Sequence, residues 1–107
     1  MRNYLKYLSD TMYSFQSKYD LTNNQLRFLI FINDERGSFT RRFIRKNIYM
    51  SFNFFDEKFP DLVKRDYIFV FEKRPWNSNQ PNQYRVTNKS RRLIDKFYNV
   101  LEGKEEI

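Results

Sequence analysis

Between Tyr67 and Val86 the chain stops obeying helical periodicity, and this break constrains the fold more than any other feature. Tyr67 to Lys73 is dense in β-branched and aromatic residues, and Gln83 to Val86 is a second short run of the same kind. The polar loop between them holds Pro75, Pro81, several asparagines and the only tryptophan, Trp76. Two strands joined by such a loop read as one hairpin. Everything on either side reads as helix.

The helical segments are marked by stripes and caps. Leu5, Leu8, Met12, Phe15 and Tyr19 recur at alternating spacings of three and four over residues 3–19. Such a narrow stripe serves either as core or as a seam for another subunit. Thr22 with Gln25 forms a capping box for a second helix running to about Glu35, with Gly37 expected in the left-handed terminating position. Ser38-Phe39 is a short extended bridge. Thr40 caps a third helix in which Phe43, Ile44 and Ile48 point inward and Arg41, Arg42, Arg45 and Lys46 cover the remaining surface.

A fourth helix is predicted from Ser51. Phe52, Phe55, Phe59, Leu62 and Val63 share one sector, while Asn53, Phe54, Glu57, Asp61 and Lys64 look outward. Pro60 deletes a backbone donor and clashes one turn back, so a kink near Phe59 or two shorter helical pieces is expected. After the hairpin, Thr87 or Asn88 caps a last helix to about Glu102, with Leu93, Ile94, Phe97, Tyr98 and Leu101 on its apolar face and Gly103 as its stop. The final GKEEI is expected to fray.

At 107 residues the chain is expected to form one domain over its whole length, 1–107. With no alanine, 12 Phe and 8 Tyr, the aromatics must supply much of the core volume. Lys and Arg total 20 against 13 acids, a net charge of +7 that favours polyanionic partners. Absence of cysteine and histidine excludes disulfides, Cys/His zinc sites and Ser–His or Cys–His catalysis. No paired-carboxylate constellation or phosphate-cradling glycine loop points to an enzyme, and no cofactor or metal is implied. Neither a membrane-spanning run nor a leader pattern is visible, so a cytoplasmic location without membrane contact is expected.

The fold class is therefore mainly α with a small β-hairpin (α+β), in the order α-α-(β)-α-α-β-β-α. A helix-turn-helix followed by a hairpin is a winged helix-turn-helix order. Leu21-Thr22-x-x-Gln25, Thr40, the run from Leu62 to Ile68 and Tyr84-x-Val86-Thr87-x-Lys89 occur in sequence and spacing that resemble the MarR family of bacterial transcription regulators. That family usually has glycine where Asp66 and Ser90 stand, and an Asp-x-Arg in the wing where this chain has Asn82 and Gln83.

The resemblance implies a homodimer on double-stranded DNA, with a recognition helix in the major groove and a wing in the minor groove. On that reading Ser51, Asn53 and Phe54 face base edges, Phe54 against a thymine methyl, with Lys58 beside them. Arg41, Arg42, Arg45 and Lys46 contact phosphates, and Arg74, Trp76, Asn77 and Arg85 form the wing contact. Ser51 is equally suited to a plain N-cap, and Trp76 to folding back on the hairpin. The helices of 1–20 and 88–103 would form the dimer interface through Leu5, Leu8, Met12, Phe15, Phe97 and Leu101. A winged helix that grips a host or replication protein, as in a phage or plasmid module, is the alternative; the outward Glu57 and Asp61 favour it.

Overall fold

The computed structural model describes residues 2–35, 37–51, 53–75 and 81–107, with Arg2 and Asn3 as backbone only. Trp76 and Asn77, expected in the wing contact, and Phe52, expected in the apolar sector of the fourth helix, lie outside the described residues. The described chain is mainly helical with a small two-stranded antiparallel sheet. Its elements are α1 (Arg2–Tyr19), α2 (Asn23–Ile32), α3 (Arg41–Asn47), a π-helical turn (Phe54–Lys58), α4 (Phe59–Lys64), β1 (Ile68–Glu72), β2 (Gln83–Val86) and α5 (Asn88–Leu101).

Threonines start three of these helices. Thr22 accepts from the Gln25 backbone while the Gln25 side chain accepts from Thr22 N–H, completing the expected capping box. Thr40 accepts from Phe43 N–H and Thr87 from Ser90 N–H, so two more orphan donors are satisfied locally.

Three helices end by one device. Leu21 N–H bonds back to Gln16, Tyr67 N–H to Leu62 and Lys104 N–H to Asn99, each spanning five residues. The residue between helix and bond is left-handed in each case: Asp20 (φ 53°), Asp66 (φ 66°) and Gly103 (φ 76°). Each turn of α1 and α4 then drives an apolar side chain, Leu21 or Tyr67, into the interior. Gly37, expected to be the left-handed stop of α2, is not left-handed. That helix ends earlier, at Ile32, and the Arg91 guanidinium from α5 takes the carbonyls of Asn33 (3.1 Å) and Glu35 (3.3 Å) just beyond it.

Phenylalanine fills the space that a chain without alanine leaves between its elements. Phe28 of α2 meets Phe39, Phe54 and Phe59 at ring distances of 6.0, 5.4 and 5.9 Å, and Phe59 meets Tyr84 edge-on at 5.0 Å. One buried polar residue ties this core together. Gln25 donates from its amide to the Lys58 carbonyl (3.1 Å) and to the Asp61 carboxylate (2.8 Å), fastening α2 to the junction of the π-helical turn and α4.

The hairpin pairs Ile68 with Val86, Phe69 with Arg85 and Val70 with Tyr84, and its register shifts at Phe71 before Glu72 pairs with Gln83. The expected extended bridge at Phe39 joins it as a single rung. Phe39 and Tyr84 exchange both backbone hydrogen bonds, at 2.9 and 2.8 Å, and so seat the start of α3 against β2. The whole is elongated, 51 × 26 × 22 Å, with a radius of gyration of 15.0 Å against about 13 Å for a compact domain of this length. Part of the extra length is the N-terminal half of α1, where Tyr4 and Leu5 stand exposed.

Candidate nucleic-acid interface

Four cations crowd the seven residues of α3. Arg41 and Arg42 sit in its first turn, at the positive end of the backbone dipole, where a cation is disfavoured by about 0.3–1 kcal/mol. Tertiary contacts compensate on one side of the helix. The Arg41 guanidinium lies 4.9 Å over Phe59 and 5.9 Å over Tyr84, and that of Arg45 lies 4.5 Å over Phe55. Arg41 and Arg45 therefore bridge α3 to the following helical pair, and Arg41 also touches the hairpin. Arg42 and Lys46 project into solvent.

The segment expected to read base edges differs from the sequence-based picture. Ser51 and Asn53 are exposed, as expected, and Lys58 is half-buried. Phe54 is not outward: its side chain is 0% exposed and packs against Phe28, Phe55 and Phe59. The cause is the π-helical turn. Phe59 N–H bonds to the Phe54 carbonyl five residues back, so the segment rotates less per residue than an α-helix and brings Phe54 and Phe55 inward together. Pro60 makes this possible, since it falls at the start of α4, where its missing N–H needs no partner. Pro60 predicts a kink near Phe59 or two shorter pieces; the π-helical turn instead passes directly into α4 at Phe59.

Asp61, expected outward, is half-buried and held by Gln25 and by Arg65 at 3.2 Å. Burial pushes its carboxyl up, but the hydrogen bonds from Gln25 and Arg65 and the charges of Arg65 and Lys58 outweigh this and hold it below the ordinary 3.8. The open face near Asn53 is left with Asp56 and Glu57, both exposed.

On the hairpin, Arg74 pairs with Glu72 at 2.7 Å, and its backbone N–H donates to the Asn82 side chain at 2.8 Å. A pair this exposed contributes little and opens readily. Arg85 lies flat on Phe71 with 3.7 Å between guanidinium carbon and ring centroid. Nε of Arg41, Arg74 and Arg85 is in each case buried without an acceptor.

The expected subunit seam divides in two. Phe15 and Phe97 are 0% and 2% exposed and meet each other edge-on at 5.3 Å, so they bind α1 to α5 within the chain and are unavailable to a partner. Leu8, Met12 and Leu101 are half-buried and Leu5 is 65% exposed. Tyr4, Tyr7 and Tyr13 add exposed aromatic surface that the α1 stripe of threes and fours did not include, and Tyr98, expected on the apolar face of the last helix, is 40% exposed. Sequence reasoning also missed Arg65. Its guanidinium donates to the carbonyls of Tyr19 (2.6 Å) and Asp20 (2.8 Å) as well as to Asp61. Nothing local to Arg65 signals this, because its backbone acceptors lie about 45 residues away.

Among the described residues no group of acids, histidines or cysteines is placed to hold a metal ion, and no helix is long and apolar enough to cross a membrane. Compared with known proteins, the chain matches no family, no curated protein and no solved structure.

Proposed function

We propose that this chain binds double-stranded DNA as a homodimeric winged helix and acts as a MarR-like transcription regulator. The observation that carries the reading is the Phe39–Tyr84 rung, which docks the arginine-rich α3 against the hairpin. Arg41 thereby meets Tyr84, on the strand that holds Arg85, and Arg42, Arg45 and Lys46 follow it along α3. Arg42 and Lys46 contact phosphates; Arg41 and Arg45 shape the surface from their aromatic seats. Ser51 and Asn53 face bases, while Phe54 serves only the core. Arg74 reaches the minor groove after releasing Glu72. With Asp56 and Glu57 on the open face, affinity comes from phosphate contacts, and base readout is confined to the first residues of the segment. Leu5, Leu8, Met12 and Leu101, with Tyr4 and Tyr13, form the subunit seam. It sets two half-sites about 34–36 Å apart.

Fluorescence anisotropy with a random duplex over a salt series tests this. Replacing Arg42 and Lys46 by alanine should weaken binding and flatten the log–log salt slope by about 2, one for each cation withdrawn from a phosphate. Light scattering of Leu5→Glu should report monomer where the wild type is a dimer. A second reading rests on Asp56 and Glu57, which suit a basic protein surface better than phosphate. Absence of duplex binding at low salt would favour it.

A further inference from the structure

Where the end of α1 meets α5, a cleft of about 230 Å³ is lined by Tyr19, Tyr67, Lys89, Arg92, Leu93 and Lys96. Three of these six residues are cations and none is an acid. Lys89, Arg92 and Lys96 fall at i, i+3 and i+7 of α5, a single stripe on one face, where Arg92 and Lys96 repel as an i,i+4 pair. Lys18, at the end of α1, lies outside this lining, and its Nζ donates to the Ile107 main-chain oxygen at 2.5 Å. Contact with the Lys96 ammonium, then desolvation, then the charge of Lys96 hold Lys18 below its ordinary 10.5, with Glu105 pulling the other way. Lys89 is fixed in place: its Nζ donates to the Arg65 carbonyl at 2.7 Å and lies 4.3 Å over the Tyr67 ring.

Elsewhere Arg65, Arg74 and Lys104 each have a carboxylate. Among the described residues Lys89, Arg92 and Lys96 form no ion pair, although α5 sets all three on one cleft. Gathering like charges this way opposes folding, and an anion seated among them would reverse the sign of the interaction. A single carboxylate neutralises one of the three, whereas a phosphate or diphosphate group matches several and suits the planar fork of Arg92. The volume lies below the ~300 Å³ at which pockets for drug-sized ligands begin. It therefore suits the charged head of a ligand.

We propose that this cleft binds the phosphate head of a small phosphorylated ligand, diphosphate class, through Lys89, Arg92 and Lys96. Bound there, the ligand joins α1 to α5. The site is separate from α3, so it does not depend on the duplex-binding reading. The same chemistry is offered by the backbone of DNA, and the test separates the two sources.

Titration calorimetry with inorganic pyrophosphate, at ionic strength held constant with chloride, should give saturable binding to the wild-type protein. Arg92→Gln/Lys96→Gln should weaken it about tenfold or more, and Arg42→Gln/Lys46→Gln should leave it unchanged. Removing two mutually repelling charges should not lower the melting temperature, which circular dichroism checks in the same sample. No saturable binding at millimolar pyrophosphate, or equal affinity in Arg92→Gln/Lys96→Gln, overturns the proposal. So does a variant that loses duplex affinity while pyrophosphate binds neither protein, which would assign the cluster to the DNA backbone.

Discussion

Replacing Arg65 with alanine should remove about 2–3 kcal/mol of stability. The guanidinium donates to Tyr19 and Asp20, the last carbonyls of α1, which have no partner within their own helix and lie at its negative end. A hydrogen bond from a charged donor contributes about 1.5–3 kcal/mol when buried; with the Arg65 side chain 28% exposed, about 1 kcal/mol for each is appropriate. The ion pair to Asp61, spaced i,i+4 and more exposed still, adds about 0.5 kcal/mol. These three contacts already reach the stated range, and loss of cover over Tyr67, 5.5 Å below the guanidinium, adds to them. For a domain near this size each kcal/mol moves the melting temperature by about 4–8 °C, so a fall of roughly 10–20 °C is expected. Urea unfolding should show a lower midpoint at an unchanged slope. Arg65→Lys keeps the charge, but one ammonium cannot span two carbonyls and a carboxylate, so it should recover less than half of the loss. An alanine variant within about 0.5 kcal/mol of wild type, or a lysine variant equal to wild type, would refute the assignment of Arg65 as the clamp between α1 and α4.

Phe54→Ala should lose about 3–5 kcal/mol in the same assay, as for any large aromatic removed from a packed interior; a loss below about 1 kcal/mol would return Phe54 to the surface. Asp61 contributes stability that is present above pH 3.8 and lost as pH falls through its lowered folded value. Acid titration of Asp61→Asn should accordingly show a shallower decline below pH 3.8 than the wild type, and parallel curves would count against the lowered carboxyl. Asp66→Gly removes a left-handed penalty of about 1–2 kcal/mol and adds about 0.5–1 kcal/mol of chain entropy, so it should be neutral to mildly stabilising. Asp66→Val, which tolerates that conformation worst, should be clearly destabilised in urea.

Local chemistry determined much of the architecture. The threonine caps at 22, 40 and 87 act on backbone donors within three residues, so a reader of the sequence has all the information that the helix starts use. The return strand Gln83–Val86 and the stop at Gly103 are similarly local. So is the place of Pro60 at the start of α4, because its missing N–H needs no partner there. The arginine-rich surface of α3 was legible as composition and spacing. What its arginines touch was not.

The remainder depended on partners far along the chain or on a departure from regular geometry. Counting 3.6 residues per turn puts Phe54 outward, whereas the π-helical turn brings it inward against Phe28, Phe55 and Phe59. The carbonyl of Asn33, just past the end of α2, finds its donor in Arg91, 58 residues on. Phe15 and Phe97 belonged to stripes that could serve a core or a partner, and only the approach of α1 to α5 assigned them to the core. The cationic cleft needed the same approach, because Tyr19 of α1 meets Lys89, Arg92 and Lys96 of α5 only once the two helices pack. Periodicity and caps are properties of a dozen consecutive residues, whereas burial and pairing are properties of the space between segments. The sequence by itself therefore determined which helices and strands form and where most of them start. Tertiary structure decided which of their faces are spent on the interior and which remain for a partner.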